Sequence, residues 1–160
     1  LHSFPTRRSS DLLAECGAAY GFGLVTGSMA AVKAPVVLQA ATGDTVCPVD
    51  SQSQLAYDKL GGPRALITLQ GGDHFSYSDL CKLPKAFSGQ LPVDCSQQKP
   101  DLATAHTAIV KYTLATFDRY LRGQSSAAQV FTSGVDGVVT VRSVCPPAAA
   151  CAPRRCWRTA

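Results

Sequence analysis

PVVLQAATGDTVCPVDSQSQLAYDKLGGPRALITLQGGDH, residues 35–74, decides the fold. Residues 35–40 (PVVLQA) form a short, mostly apolar run, as a strand buried on both faces requires. The run empties into Thr42-Gly43-Asp44-Thr45, where Gly43 permits a sharp turn and leaves Asp44 at the carboxyl end of the strand. Asp50 or Ser51 is placed to cap a helix with apolar positions Leu55, Ala56 and Leu60. Gly61-Gly62-Pro63 stops that helix, with Gly61 suited to a left-handed residue past its end. Residues 64–69 (RALITL) are a second β-type run, followed by Gln70-Gly71-Gly72-Asp73-His74. Strand, helix, strand in this order predicts a right-handed βαβ unit. Both polar loops then leave the same edge of a parallel sheet, where open α/β sheets place their chemistry. Asp44 and His74 are expected to meet there. A carboxylate that fixes an imidazole's tautomer and stabilises its cation is the supporting half of a Ser-His-Asp triad.

PVVLQAATGDTVCPVD followed by LITLQGGDHFSYSD resembles the end of an α/β-hydrolase domain. The pattern that carries it is apolar strand, Gly-Asp-x-x-x-Pro acid loop (residues 43–48), helix, strand and Gly-Gly-x-His (residues 71–74). The resemblance is to dienelactone-hydrolase-like and platelet-activating-factor-acetylhydrolase-like serine esterases, with polyester hydrolases and cutinase-like lipases as relatives. It covers residues 17–141. It implies an α/β fold: a truncated C-terminal part of an α/β-hydrolase, a mostly parallel sheet with flanking helices. It also implies Asp44 as the catalytic acid and His74 as the catalytic base of a carboxylic ester hydrolase. No cofactor or metal is implied, and the substrate would be a small-molecule, lipid or polyester ester.

The chain has 160 residues, room for one ordinary domain. Its 46% hydrophobic and 16% charged fractions describe a globular protein rather than a disordered one. The net charge of +4 comes from arginines near the two ends, Arg7, Arg8, Arg142, Arg154, Arg155 and Arg158 among them. No basic face with interleaved aromatics is visible, which argues against a nucleic-acid partner. No run is long and apolar enough for stable membrane insertion. Seven cysteines are many for a cytosolic enzyme, and no Cys-x-x-Cys pair or Cys/His spacing points to zinc. Cys81 and Cys95 flank a loop with two prolines and fit a disulfide-closed insertion, against the plainer reading of two free thiols. Such a bridge would imply a secreted or periplasmic protein.

Outward from the central stretch, residues 1–12 (LHSFPTRRSSDL) match the translation of a common sequencing adapter and are set aside as an artefact. Residues 13–143 are then expected to be the hydrolase part, with a start in mid-domain. Residues 144–160, rich in Ala, Pro, Cys and Arg, are expected to carry no packed structure. Tyr77 reads as a packing anchor rather than an acyl-pocket wall. Asp73 is a poorer orienting acid than Asp44, because adjacent residues rarely present side chains to each other. Residues 82–100 read as an insertion loop. A long helix opens at Asp101 or Thr104 and runs to about Arg122, with Ile109, Tyr112, Thr113, Thr116, Phe117 and Tyr120 inward and Gly123 as its stop. His106 reads as a solvated helix residue. Residues 129–131 and 137–141 read as one or two short strands about the turn at 133–137.

The nucleophile is the missing piece. A serine at a strand-to-helix elbow should sit in Gly-x-Ser-x-Gly, and that pentapeptide occurs nowhere in the chain. Ser28, in Gly27-Ser28-Met29, has no glycine two positions on and no apolar strand before it, and Ser76 and Ser78 share the loop of His74. The expectation is a C-terminal fragment of an esterase, inactive as written. The alternatives are a non-catalytic binding protein on a degenerate α/β-hydrolase fold, and a flavodoxin-like or other small α/β domain in which Asp44 and His74 are ordinary loop residues.

Overall fold

The structure, a computed structural model, describes residues 12–14, 29–84 and 99–144, the first three by their backbone alone. Along the chain run β1 (Leu12–Ala14), β2 (Val36–Ala41), α1 (Ser53–Lys59) and β3 (Arg64–Leu69). Two 3₁₀ turns follow, His74–Tyr77 and Leu80–Lys82, and then the long helix α2 (Leu102–Tyr120). A 3₁₀ segment, Ser125–Phe131, leads to β4 (Val139–Val144). The sheet order is β1-β2-β3-β4. β1 and β3 run parallel to β2, and β4 runs antiparallel to β3.

This corrects the fold expected from the family resemblance. The sheet is small and mixed, and it is not the C-terminal part of an α/β-hydrolase. The reason lies after α2. Residues 125–131, whose last three were read as strand, wind into 3₁₀ turns. Val135 then bridges Val139, with Gly137 at φ +67° between them. The chain therefore returns along β3 in the reverse direction, with Leu69 opposite Val139 and Arg64 opposite Val144. A parallel addition would have needed a further crossover.

The central stretch forms two parallel strands with a helix between them. β2 and β3 pair in register from Val36 opposite Arg64 to Ala41 opposite Leu69. Side chains alternate between two cores, the period of two that a strand imposes. Val37, Ala41, Ala65, Ile67 and Leu69 face α2 and meet Ala105, Ala108, Tyr112 and Ala115. Val36, Leu38, Ala40 and Leu66 face α1 and meet Ala56, Tyr57 and Leu60. Each large aliphatic side chain so buried stabilises the fold by about 1.5–3 kcal/mol. Gln39 is the polar exception on β2. It is buried, and its amide donates to Thr113 Oγ1 at 2.9 Å, which offsets the loss of water.

Several element ends differ from expectation. The residue before α1 is Gln52, without a side-chain cap, rather than Asp50 or Ser51. Gly61 does not adopt a left-handed conformation. It is needed because a Cβ there would lie 2.1 Å from the Ala30 carbonyl oxygen. Asp101 caps α2 as expected, its Oδ1 accepting from the amides of Ala103 and Thr104. Gly123 follows the helix at φ +71°. The inner face of α2 is rotated from the one expected: Ala105, Ala108, Tyr112, Ala115, Thr116 and Arg119 are buried, and Phe117 is exposed. Alanines fill three of these positions against the sheet, and Tyr112 packs beside them.

Candidate functional site

The in-register pairing of β2 and β3 sets the site. Both strands end level, at Ala41 and Leu69. Thr42 N–H continues the ladder to the Leu69 carbonyl at 3.0 Å. Two further bonds join the loops beyond. Gly43 N–H donates to the Gly72 carbonyl at 2.7 Å, and Gly71 N–H donates to Thr42 Oγ1 at 2.6 Å. Gly43 is required by this closeness, since a Cβ would lie 2.8 Å from the Gly72 oxygen.

This clasp brings Asp44 and His74 together across thirty positions of sequence. His74 Nδ1 lies 3.0 Å from Asp44 Oδ2. The Asp44 side chain is only 2% exposed, whereas that of His74 is 29% exposed. The carboxylate is thus buried behind an imidazole that reaches solvent. Its other oxygen, Oδ1, accepts from the amides of Val46 at 2.8 Å and Cys47 at 2.7 Å. Three hydrogen bonds compensate the carboxylate's burial and fix its plane. A carboxylate paired with Nδ1 holds the proton there and leaves Nε2 as the basic nitrogen.

Asp73 is occupied elsewhere. Its Oδ1 accepts from the amides of Phe75 and Ser76 and from Ser76 Oγ, and Ser76 Oγ accepts from Asp73 N–H. This capping box builds the 3₁₀ turn that carries His74. The hydroxyl of Ser76 is committed to the cap, and Ser78 Oγ donates to the Phe75 carbonyl at 3.0 Å. Phe75 stands edge-on to the His74 ring, centroids 5.6 Å apart at 87°. Tyr77 packs against the core on the α2 side.

His106 does more than face solvent. Its Nε2 lies 3.2 Å from the Ser78 carbonyl oxygen, tying α2 to the histidine loop. Lys82 and Asp79 lie beside its other nitrogen, at 3.4 and 3.6 Å. The Lys82 hydrogen bond holds the Asp79 carboxyl below its usual range. The amides of Val46 and Cys47, the clasp and the His106 tether carry no motif. The Gly43 and Gly71-Gly72 positions were the one trace of the clasp in the sequence.

Asp44, Cys47 and His74 bring one possible ligand atom each within 4.8 Å of one another. That grouping fits a metal poorly. Cys47 is disulfide-bonded, so its sulfur is not a thiolate. Cys81 is disulfide-bonded as well. Its expected partner, Cys95, lies outside the described residues, as do Ser28, residues 1–11 and residues 145–160. Among the described residues no helix is long and apolar enough to cross a membrane.

The chain matches no family model and no curated protein. The site defines a class by geometry alone: a buried carboxylate hydrogen-bonded to a solvent-reaching imidazole at the carboxyl edge of a parallel strand pair.

Proposed function

We propose that Asp44 and His74 are the acid and base of a serine-type carboxylic ester hydrolase. The observation that carries this reading is the 3.0 Å contact between His74 Nδ1 and a buried Asp44 carboxylate already fixed by two backbone amides. His74 Nε2 takes the proton from a serine hydroxyl as its oxygen attacks the ester carbonyl, and returns that proton to the leaving alkoxide. Water then repeats the cycle on the acyl-enzyme. Asp44 accepts from Nδ1–H and stabilises the imidazolium.

The sequence holds no Gly-x-Ser-x-Gly elbow, so this reading takes the serine and the oxyanion donors from residues beyond these 160. The chain by itself is therefore expected to be inert to esters. The similarity of the acid and histidine motifs to those of serine esterases supports the same activity. Disulfide-bonded Cys47 and Cys81 support an oxidising compartment, secreted or periplasmic.

The test uses the complete gene product that contains this chain, assayed on p-nitrophenyl esters. Asp44→Asn and His74→Ala are each expected to lower kcat by roughly three to four orders of magnitude with the fold intact. Near-wild-type turnover in either variant, or no ester hydrolysis by the complete product, would sink the proposal. In the chain alone, Asp44→Asn should remove the hydrogen-bonded Nδ1–H signal of His74 from the proton spectrum.

A further inference from the structure

Helix α2 carries two apolar faces. The inner one packs on the sheet. On the outer side Val110, Leu114, Phe117 and Leu121 are 51%, 51%, 36% and 63% exposed. Their spacing of four, three and four residues makes a single stripe, the pattern of helices that pair along a seam. An apolar stripe of this kind is unusual on a surface that stays in water.

The stripe is symmetric about the midpoint between Ala115 and Thr116. Leu114 and Phe117 lie equally far to either side, as do Val110 and Leu121. A two-fold axis through that midpoint makes the seam complementary to itself, because in such an interface each contact occurs twice. In the antiparallel arrangement Leu114 meets Phe117 of the second copy, and Val110 meets its Leu121.

The flanking charges select the same arrangement. Lys111 and Asp118 each follow a stripe residue, so they lie on one flank. Antiparallel pairing sets like flanks against each other and brings Lys111 of each copy toward Asp118 of the other. The two are offset by two residues, about 3 Å along the axis, within a lysine's reach. Arg122 already holds Asp118 Oδ1 at 2.8 Å, and Oδ2 remains available. Lys111 Nζ sits 5.3 Å from the centre of its neighbour's ring, Tyr112, and is otherwise exposed. Parallel pairing would set that flank against His106, Thr113 and Tyr120, with no carboxylate to meet Lys111. A helix that lies on a membrane carries mainly cations beside its apolar face, whereas this flank carries both signs.

We propose that the outer stripe of α2 is the interface of an antiparallel homodimer, a second copy of the chain covering Val110, Leu114, Phe117 and Leu121. This inference is independent of the ester-hydrolase reading. His106 ties the histidine loop to the N-terminal part of α2, so antiparallel pairing keeps the two Asp44–His74 sites at opposite ends of the seam.

Sedimentation equilibrium of the full chain tests it. The wild type is expected to show a concentration-dependent monomer–dimer equilibrium. Leu114→Glu should remain monomeric over the same range with an unchanged far-ultraviolet spectrum. Lys111→Asp should raise the dissociation constant about tenfold by opposing like charges. The double exchange Lys111→Asp with Asp118→Lys should restore it to within about threefold. Should Leu114→Glu fail to fold, the charge exchange at two surface positions decides between the outcomes. A monomeric wild type, a dimer indifferent to Leu114→Glu, or an exchange that does not restore pairing overturns the proposal. So does a monomer that binds phosphatidylcholine vesicles and loses that binding in Leu114→Glu, which would assign the stripe to a lipid surface.

Discussion

Asp44 divides its two oxygens between backbone and ring, and this division makes the pair with His74 directional. Oδ1 is anchored by the Val46 and Cys47 amides, so Oδ2 cannot turn away from Nδ1 without breaking two bonds. The clasp between Gly43 and Gly72 holds the two loops at the matching distance. Gly43→Ala should therefore damage the pair although it alters neither member. The added carbon would stand 2.8 Å from the Gly72 oxygen, and such overpacking costs about 1–3 kcal/mol. Urea unfolding should show a lowered midpoint at unchanged m-value, together with loss of the His74–Asp44 hydrogen bond by NMR. Asp44 and His74 were legible in the sequence because each follows a β-type run and glycine. The Asp73–Ser76 cap and the Oδ1 anchors were not. They depend on backbone angles that no residue pattern encodes uniquely.

Elements were legible where periodicity was strong. β3 has its expected limits, β2 is displaced by one residue, and α2 lies where its cap and stop signals put it. The inner face of α2 was read in part: Tyr112 and Thr116 are buried as expected, Phe117 is exposed, and the buried alanines were not foreseen. Ala105, Ala108 and Ala115 take sheet-facing positions. The 3₁₀ segment Ser125–Phe131 was misread because Val130 and Phe131 look strand-like, although Phe131 is in fact a core anchor whose ring lies 6.1 Å from that of Tyr112. The stop of α2 offers a clean measurement. Gly123 has φ +71°, and no atom lies within 4 Å of the place a Cβ would take there. Gly123→Ala should thus cost about 1 kcal/mol through backbone conformation alone, and Gly123→Asn less, as read by thermal unfolding.

For the molecule as a whole, the mixed sheet was the least legible feature. The direction of β4 depends on how the chain turns between residues 125 and 139, and local sequence leaves that open. β4 also supplies Arg142, which joins Arg64 on the ring of Tyr57, at 5.1 and 5.2 Å from its centre. Burial pushes the Tyr57 phenol above its ordinary value of 10.0, and the two arginines oppose that shift without cancelling it. Burial likewise raises Tyr112. A phenol with a raised folded-state pKa binds its proton more tightly when folded. Its stabilising effect is complete below pH 10.0 and is lost as pH climbs through the folded value. Stability should decline on the alkaline side, and the combined Tyr57→Phe and Tyr112→Phe variant should decline less steeply, as followed by urea midpoints across that range.

Because the spacing between acid and imidazole is written into amide-to-carbonyl bonds, transplanting the pair is a matter of main chain before side chain. A designer who copied only Asp44 and His74 onto another parallel strand pair would inherit two loops free to drift apart. Thr42-Gly43 and Gly71-Gly72 would have to travel with them as one cassette.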